Sequence, residues 1–169
     1  MDARRRTVAI TVGLRIHVCA VGRLRGTPEA ALVNDYLGRF ARVGRSIGLT
    51  LGDVHEVEDR LRSSPTQQAA LLRKSIPAKA ILWAMDERGQ TLSSSDFAKT
   101  LAHERDQGTA NVAIAIGGAD GLDPAFRAEA HLALSFGPMV WPHMLARAML
   151  SEQLYRAATI LAGGPYHRA

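Results

Sequence analysis

The hydrophobic residues of the chain fall into short apolar runs separated by longer, more polar segments. Runs of about 4–8 apolar residues bounded by turn residues are typical of strands buried on both faces of a sheet. The runs KAILWAM at 79–85 and NVAIAI at 111–116 are the clearest examples. On this pattern, strands are predicted at residues 15–21, 47–57, 79–85, 111–116 and 132–136.

The segments between these runs have the spacing of amphipathic helices. The clearest stripe places Val33, Tyr36, Leu37 and Phe40 on one helix face. A capping residue followed by proline marks three helix starts, at Thr27-Pro28, Ser64-Pro65 and Asp123-Pro124. Helices are therefore predicted at residues 28–44, 65–76 and 94–107, in a short segment after 123, and at 142–162.

Strands and helices thus alternate along the chain. This order predicts a single α/β domain with a mostly parallel sheet and helices on both faces. Ligands of such sheets bind beyond the carboxyl ends of the strands. Three late loops leave strand ends, at 85–86 (where 86–89 is predicted to be a turn), 117–121 and 137–142. We expect one pocket where these loops converge.

The composition of the chain indicates what kind of partner it binds and where in the cell it is located. The chain has 169 residues, 47% of them hydrophobic, and a formal net charge of +5. A basic chain of this kind favours a polyanionic partner such as RNA. Cys19 is the only cysteine, which excludes an intrachain disulfide and favours a cytoplasmic location. Residues 1–13 precede the first patterned strand and are predicted to be a disordered extension; 14–169 form the domain.

Two of the late loops have a composition suited to a nucleoside. Glycines at 117, 118 and 121 allow backbone N–H groups to approach a ligand closely, although a tight strand-to-helix turn explains them equally well. A large side chain in place of Gly118 is expected to fill the pocket. The loop at 137–142 is apolar, and loops are usually polar surface structures. It suits an adenine clamp, or a loop buried by packing such as in a dimer interface.

The last helix and the tail carry the remaining candidate chemistry. Glu152 and Arg156 are spaced as an ordinary i, i+4 ion pair on one helix face. The tail combines an aromatic ring, a titratable ring and a cation in Tyr166, His167 and Arg168. Such a mixture suits base stacking and phosphate binding, whereas the alternative is a frayed terminus. The six histidines show no metal-ligand spacing, so no metal site is predicted.

Taken together, several segments resemble one known family. The start LRIHVCAVGRLR, the loops IGGADGL and LSFGPMVWPH, the helix LARAMLSEQLYRA and the terminal PYHR follow one another with matching order and spacing. They resemble the bacterial large-subunit rRNA pseudouridine N3-methyltransferases, the RlmH family of the SPOUT superfamily. The resemblance covers about residues 14–168. The chain departs from the family pattern at its extension, at Ala119-Asp120 and at Gly163-Gly164.

The resemblance implies a fold detail, a cofactor and a substrate. The fold would contain a C-terminal deep trefoil knot, and the protein would be a homodimer that binds S-adenosyl-L-methionine. The substrate would be N3 of the pseudouridine at position 1915 of 23S rRNA, in helix 69 of the assembled 70S ribosome. Two alternatives remain open: a non-catalytic ribosome- or RNA-binding protein on the same fold, and a related tRNA methyltransferase.

The resemblance also implies site residues by position. Tyr166, His167 and Arg168 would complete the active site across the dimer. Separately, the chemistry of methyl transfer to N3 requires either a base or a cation that stabilises the N3 anion, and His167 is the candidate base and Arg168 the candidate cation. Glu152, Tyr155 and Arg156 match the family's helix motif without a defined role. The cofactor contacts would be Met85, Gly118, Gly137, Pro138, Met139, Val140, Trp141 and Pro142.

Overall fold

The computed structural model describes residues 13–59 and 63–168. The predicted extension lies outside the described residues except for Gly13. The strands are β1 (Leu14–Val21), β2 (Leu49–Val57), β3 (Ile81–Thr91), β4 (Asn111–Ile116) and β5 (Leu132–Ser135). The helices are α1 (Pro28–Gly44), α2 (Pro65–Ser75), α3 (Ser94–Asp106), α4 (Pro124–Ala128) and α5 (His143–Leu161), with a 3-10 turn at Arg45–Ile47.

The five strands form one sheet in the order β2-β1-β4-β3-β5, and every neighbouring pair is parallel. The predicted α/β class and parallel sheet are therefore confirmed. Since β4, β3 and β5 are adjacent and parallel, the loops that follow their carboxyl ends share one edge of the sheet. Among the described residues, no helix is long and apolar enough to cross a membrane.

Helices cover both faces of the sheet, and the strand sequences explain the division. Along β4, Val112, Ile114 and Ile116 pack in the larger core with α1, α3 and α5. The intervening Ala113 and Ala115 face the smaller core, which contains residues of α2 and α4. Alternate residues of a strand point to opposite faces, so bulky and small side chains separate by face.

Most predicted helix starts are confirmed, and one forms by different contacts. Ser64 and Gln67 make a complete capping box at α2, and Asp123 caps α4 through the N–H of Phe126. Thr27 occupies the N-cap position of α1 but makes no side-chain cap bond. Its hydroxyl instead donates to the carbonyl oxygen of Leu24 at 2.8 Å, which closes the preceding loop.

Three predicted boundaries differ from the structure by two or more residues. The third strand begins at Ile81 rather than at residue 79. The expected turn at 86–89 is a bulge inside β3, because Met85 and Gln90 both pair with Leu134. A Cβ on Gly89 would lie 2.6 Å from the carbonyl carbon of Ala133, so this bulge packs directly against the β5 backbone. The predicted second strand begins at residue 49 rather than 47, because Gly48 adopts a left-handed φ of 72° after the 3-10 turn.

Candidate active site

The three late loops converge as expected. They enclose a cavity of about 340 Å³ whose lining comes from residues 85–88, 116–122 and 134–141 and from the first turn of α5. A neighbouring cavity of about 250 Å³ shares Met85 and Phe136 with it. Pro138 and Pro142 are not among the lining residues. The predicted cofactor residues that do line the larger cavity are Met85, Gly118, Gly137, Met139, Val140 and Trp141.

The glycine segment is both a tight turn and a wall of the cavity. Gly121 donates its N–H to the carbonyl oxygen of Gly118 at 3.0 Å and adopts a φ of 77°. A Cβ on Gly117 would lie 2.6 Å from the carbonyl carbon of Gly121, so the two strands of the turn touch. The two interpretations of this segment, a turn and a ligand-approach surface, are therefore compatible.

The expectation that a large side chain at Gly118 fills the pocket is wrong. A Cβ built on Gly118 would lie 3.1 Å from Oε1 of Gln68 and 3.2 Å from Cγ1 of Val21. Both neighbours are buried, so a larger side chain would enter the protein interior instead of the cavity. Ala146, half-buried on the first turn of α5, lines the cavity and is the better position for this test.

One side of the cavity is acidic. The Asp86 side chain is only 5% exposed and accepts a hydrogen bond from the backbone N–H of Arg88 at 2.9 Å. Burial disfavours its charge, but hydrogen bonds from Arg88 and the charge of Arg127 nevertheless lower the pKa of Asp86. Asp86 is therefore a carboxylate at neutral pH. Glu87 and Asp120 also line the cavity and are exposed.

The apolar loop between β5 and α5 is held at its start and exposed at its end. Ser135 Oγ accepts the N–H of Gly137 at 3.0 Å, and Gly137 adopts a φ of 114°. Beyond this point Met139 is 69% exposed, Val140 is 80% exposed and Trp141 is 41% exposed. The loop is thus not buried within its own chain, and it presents a contiguous apolar surface next to the cavity.

Sequence reasoning missed His143 and the acidic residues as lining groups. His143 begins α5 directly after the apolar loop, and it lines the cavity. Its position on the first helical turn after a candidate ligand loop was the available signal. The loop at 85–86 was expected at the pocket, but the Asp86 side chain was not singled out because its segment resembles an ordinary polar turn.

The tail packs on α5 instead of fraying. The hydroxyl of Tyr166 donates to Oε1 of Glu152 at 3.0 Å, and its ring centroid lies 4.6 Å from that of Tyr155. The Arg156 guanidinium lies 4.8 Å from the Tyr166 ring centroid and pairs with Glu152. The predicted i, i+4 pair is confirmed, and the frayed-terminus alternative is wrong for Tyr166.

The environment of Tyr166 sets its protonation state. Burial, followed by the hydrogen bond to Glu152, raises the pKa of Tyr166 to about 12. The phenol is therefore protonated at neutral pH. His167 is half-buried and Arg168 is exposed. None of the three tail residues lines the cavity of its own chain.

The parallel sheet and the cavity formed by the three late loops are the features expected of the methyltransferase family that the sequence resembles. A sequence model described as predicted SPOUT methyltransferase matches residues 14–167, and the chain belongs to this family.

Within the family, the chain is similar to proteins named ribosomal RNA large subunit methyltransferase H. The relative from Roseobacter denitrificans is 61% identical over 155 residues, covering 92% of this chain and 99% of the relative. The relative from Ruegeria pomeroyi is 59% identical over the same shares. Among solved structures, a probable methylase family protein from Haemophilus influenzae is similar with a TM-score of 0.47 and 14% identity, covering 95% of this chain and 72% of that one.

Proposed function

We propose that the protein methylates N3 of the pseudouridine at position 1915 of 23S rRNA, in helix 69 of the assembled ribosome. The observation that carries the proposal is the 61% identity to a named large-subunit rRNA methyltransferase over 99% of that relative's length. The cavity at the late loops supports the same activity, because it provides a site for a methyl donor beside an exposed surface.

The cavity fits S-adenosyl-L-methionine in size and chemistry. Its volume of about 340 Å³ lies within the usual range of small-ligand pockets, roughly 300–1,000 Å³. Met85, Val140 and Trp141 offer apolar contacts to an adenine ring. Glu87 and Asp120 supply negative charge for a ligand that carries a sulfonium and an ammonium group, whereas the charge of Asp86 is paired with Arg88 and Arg127.

The residues of the chain would align and deprotonate the target base. The bound cofactor supplies an already activated methyl group, so the protein mainly orients the acceptor. His167 would take the N3 proton, and Arg168 would stabilise the resulting anion. Tyr166, whose pKa is about 12, is protonated and does not serve as the base. It holds the tail on α5 instead.

Catalysis of this kind needs a second copy of the chain. The tail does not line the cavity of its own chain, and an apolar surface beside the cavity is exposed. A homodimer would cover this surface and bring the partner's tail to the cavity. The deep trefoil knot, which rests on the resemblance to the family, and the cytoplasmic location, which the single cysteine favours, are further parts of this proposal.

The test is mass spectrometry of 23S rRNA from a strain that lacks this gene. We expect helix 69 to lose one methyl group and to regain it when the full chain is expressed from a plasmid. In vitro, ribosomes from the deletion strain should accept a labelled methyl group from S-adenosyl-L-methionine. An unchanged methylation pattern in the deletion strain would contradict the proposal.

A further inference from the structure

A third cavity, of about 550 Å³, lies beside the loop that joins β1 to α1. It shares no lining residue with the candidate active site. Arg23, Arg25 and Arg147 line it together with a single carboxylate, that of Glu56. Buried leucine and valine side chains form its base. We call this cavity the basic groove.

We propose that the basic groove binds the phosphodiester backbone of the rRNA substrate. This inference rests on the proposed function and adds a contact outside the cofactor cavity. Guanidinium groups bind phosphate oxygens through charge-assisted, often bidentate hydrogen bonds. Such contacts fix the position of the RNA without reading its sequence.

The two exposed arginines are held on a fixed loop. Leu24 is 4% exposed and packs in the larger core, while Arg23 and Arg25 on either side of it are exposed. The Leu24 N–H also donates to Oε1 of Glu56 at 3.0 Å. Because the residue between them is anchored, both guanidinium groups project from a defined part of the surface.

Arg147 fixes the same loop from beneath. It is 1% exposed, it pairs with Glu56, and its Nη2 donates to the carbonyl oxygen of Gly22 at 2.8 Å. These bonds tie the loop to both β2 and α5. A loop ordered before binding loses less entropy when a ligand arrives, so its arginines are preorganised for phosphate.

The charge of the groove is available to a ligand. No acidic side chain among the described residues forms an ion pair with Arg25. Arg23 pairs with Glu58 at 3.5 Å, but the two side chains are 66% and 49% exposed. Exposed pairs of this kind contribute little and are readily exchanged for another anion. Arg39 and Arg73, by contrast, each lie within 3.0 Å of a carboxylate.

The groove is placed to act together with the active site. A Cβ on Gly22 would lie 3.4 Å from Nε2 of His143, and His143 lines the cofactor cavity. The loop that carries the arginines therefore passes close to a residue that lines that cavity. An RNA strand held at the groove would extend past the cavity where the methyl group is transferred.

The test compares two double variants that remove the same charge. Arg23→Gln with Arg25→Gln alters the groove. The control, Arg42→Gln with Arg45→Gln, removes two exposed arginines from the last turn of α1 and the 3-10 turn that follows it. Binding to ribosomes from the deletion strain is measured at several salt concentrations, alongside cofactor binding by calorimetry. We expect the groove variant to bind ribosomes about tenfold to a hundredfold more weakly, with a log–log salt slope reduced by about two.

The results of this test separate the groove assignment from the proposed methylation activity. Cofactor affinity should be unchanged in both variants, and the control should retain nearly the wild-type ribosome affinity. Equal ribosome affinities and equal salt slopes for the two variants would overturn the inference. So would a groove that binds phosphate or a nucleotide while the groove variant binds ribosomes as well as the wild type does. If the wild type binds ribosomes through the groove but transfers no methyl group to rRNA, the proposed function fails and the groove assignment stands.

Discussion

The two ends of α5 differ in how much of their surface is covered by contacts within the chain. Before the helix, Val140 and Trp141 are 80% and 41% exposed, and the helix start has no side-chain cap. After the helix, the chain turns back through Gly164, whose N–H donates to the carbonyl oxygen of Thr159 at 2.8 Å. Tyr166 then packs on the helix, and its hydroxyl donates a hydrogen bond to Glu152.

This difference separates two tasks on one helix. The start of α5 presents apolar groups and a cavity, both of which gain stability only when another molecule covers them. The end of α5 is internally paired and holds the tail in a defined position. Under the proposed function, the first region would bind the cofactor and the partner chain, and the second would support the tail that is proposed to be catalytic.

Removing the tail should have the largest effect. A chain that ends at Pro165 lacks the proposed base and cation, whereas the cofactor cavity keeps all its lining residues. We expect methyl transfer to ribosomes to fall by about 10²–10⁴-fold, the usual contribution of acid–base catalysis. Cofactor binding by calorimetry and the dimer by light scattering should be retained.

A double variant separates chemistry from packing in this experiment. His167→Ala with Arg168→Ala keeps Tyr166 and its contacts with α5. It should lose as much activity as the truncated chain but unfold at nearly the wild-type temperature. Full activity in the truncated chain would show that the tail is not catalytic.

Charging the apolar surface should have the next largest effect. Val140→Asp places a carboxylate in the surface that we expect the partner chain to cover. Such a change should weaken dimerisation by at least about thirtyfold, the loss typical of a central interface residue. Light scattering at micromolar concentration measures this, with Leu71→Asp on α2, also partly exposed, as the control. An unchanged dimer would place the interface elsewhere.

Filling the cavity should weaken cofactor binding. Ala146→Phe adds a ring to a residue that lines the cavity, and we expect the cofactor dissociation constant to rise about tenfold or more. Ala102→Phe is the matched control, because Ala102 is also a half-buried helical alanine but lines none of the three cavities. Calorimetry and thermal unfolding of both variants distinguish a filled cavity from a damaged fold. Equal cofactor affinities would place the cofactor outside this cavity.

The element order was predictable because each segment carried its own local signal. The apolar run at 111–116 became β4 with the same bounds, and the Ser64-Pro65 pair began α2 as expected. The bulge at 86–89 was not predictable. It arises because two positions of β3 pair with the same residue of β5, and that contact is distant in sequence.

The site was predictable in outline but not in detail. Loops that follow adjacent parallel strands must meet, so the cavity could be expected once the strands were assigned. The direction of a Cβ at Gly118 depends on the position of Gln68 on α2 and could not be read from the glycine pattern. The docking of Tyr166 was not predictable either, because its contact with Glu152, 14 residues earlier in the sequence, forms only when the chain turns back after α5.

The smallest effect should come from removing one oxygen atom from the tail support. Tyr166→Phe keeps the ring contacts with Tyr155 and Arg156 but loses the hydrogen bond to Glu152. We expect a loss of about 1 kcal/mol in the free energy of unfolding near neutral pH, typical of one partly exposed hydrogen bond. The rate of methyl transfer should fall only a few-fold, since His167 and Arg168 are still present.

The pH dependence of this variant tests whether the hydroxyl is responsible. The folded pKa of Tyr166, about 12, lies above its ordinary value of 10.0, so the folded state disfavours the phenolate. The stabilisation from this group is therefore complete below pH 10 and is lost as pH rises toward 12. Urea unfolding at pH 8 and at pH 11 measures it: the difference in stability between wild type and Tyr166→Phe should shrink at the higher pH. A difference that stays constant would show that the phenol does not titrate in this way, and a difference of zero at both pH values would show that the ring contacts alone hold the tail.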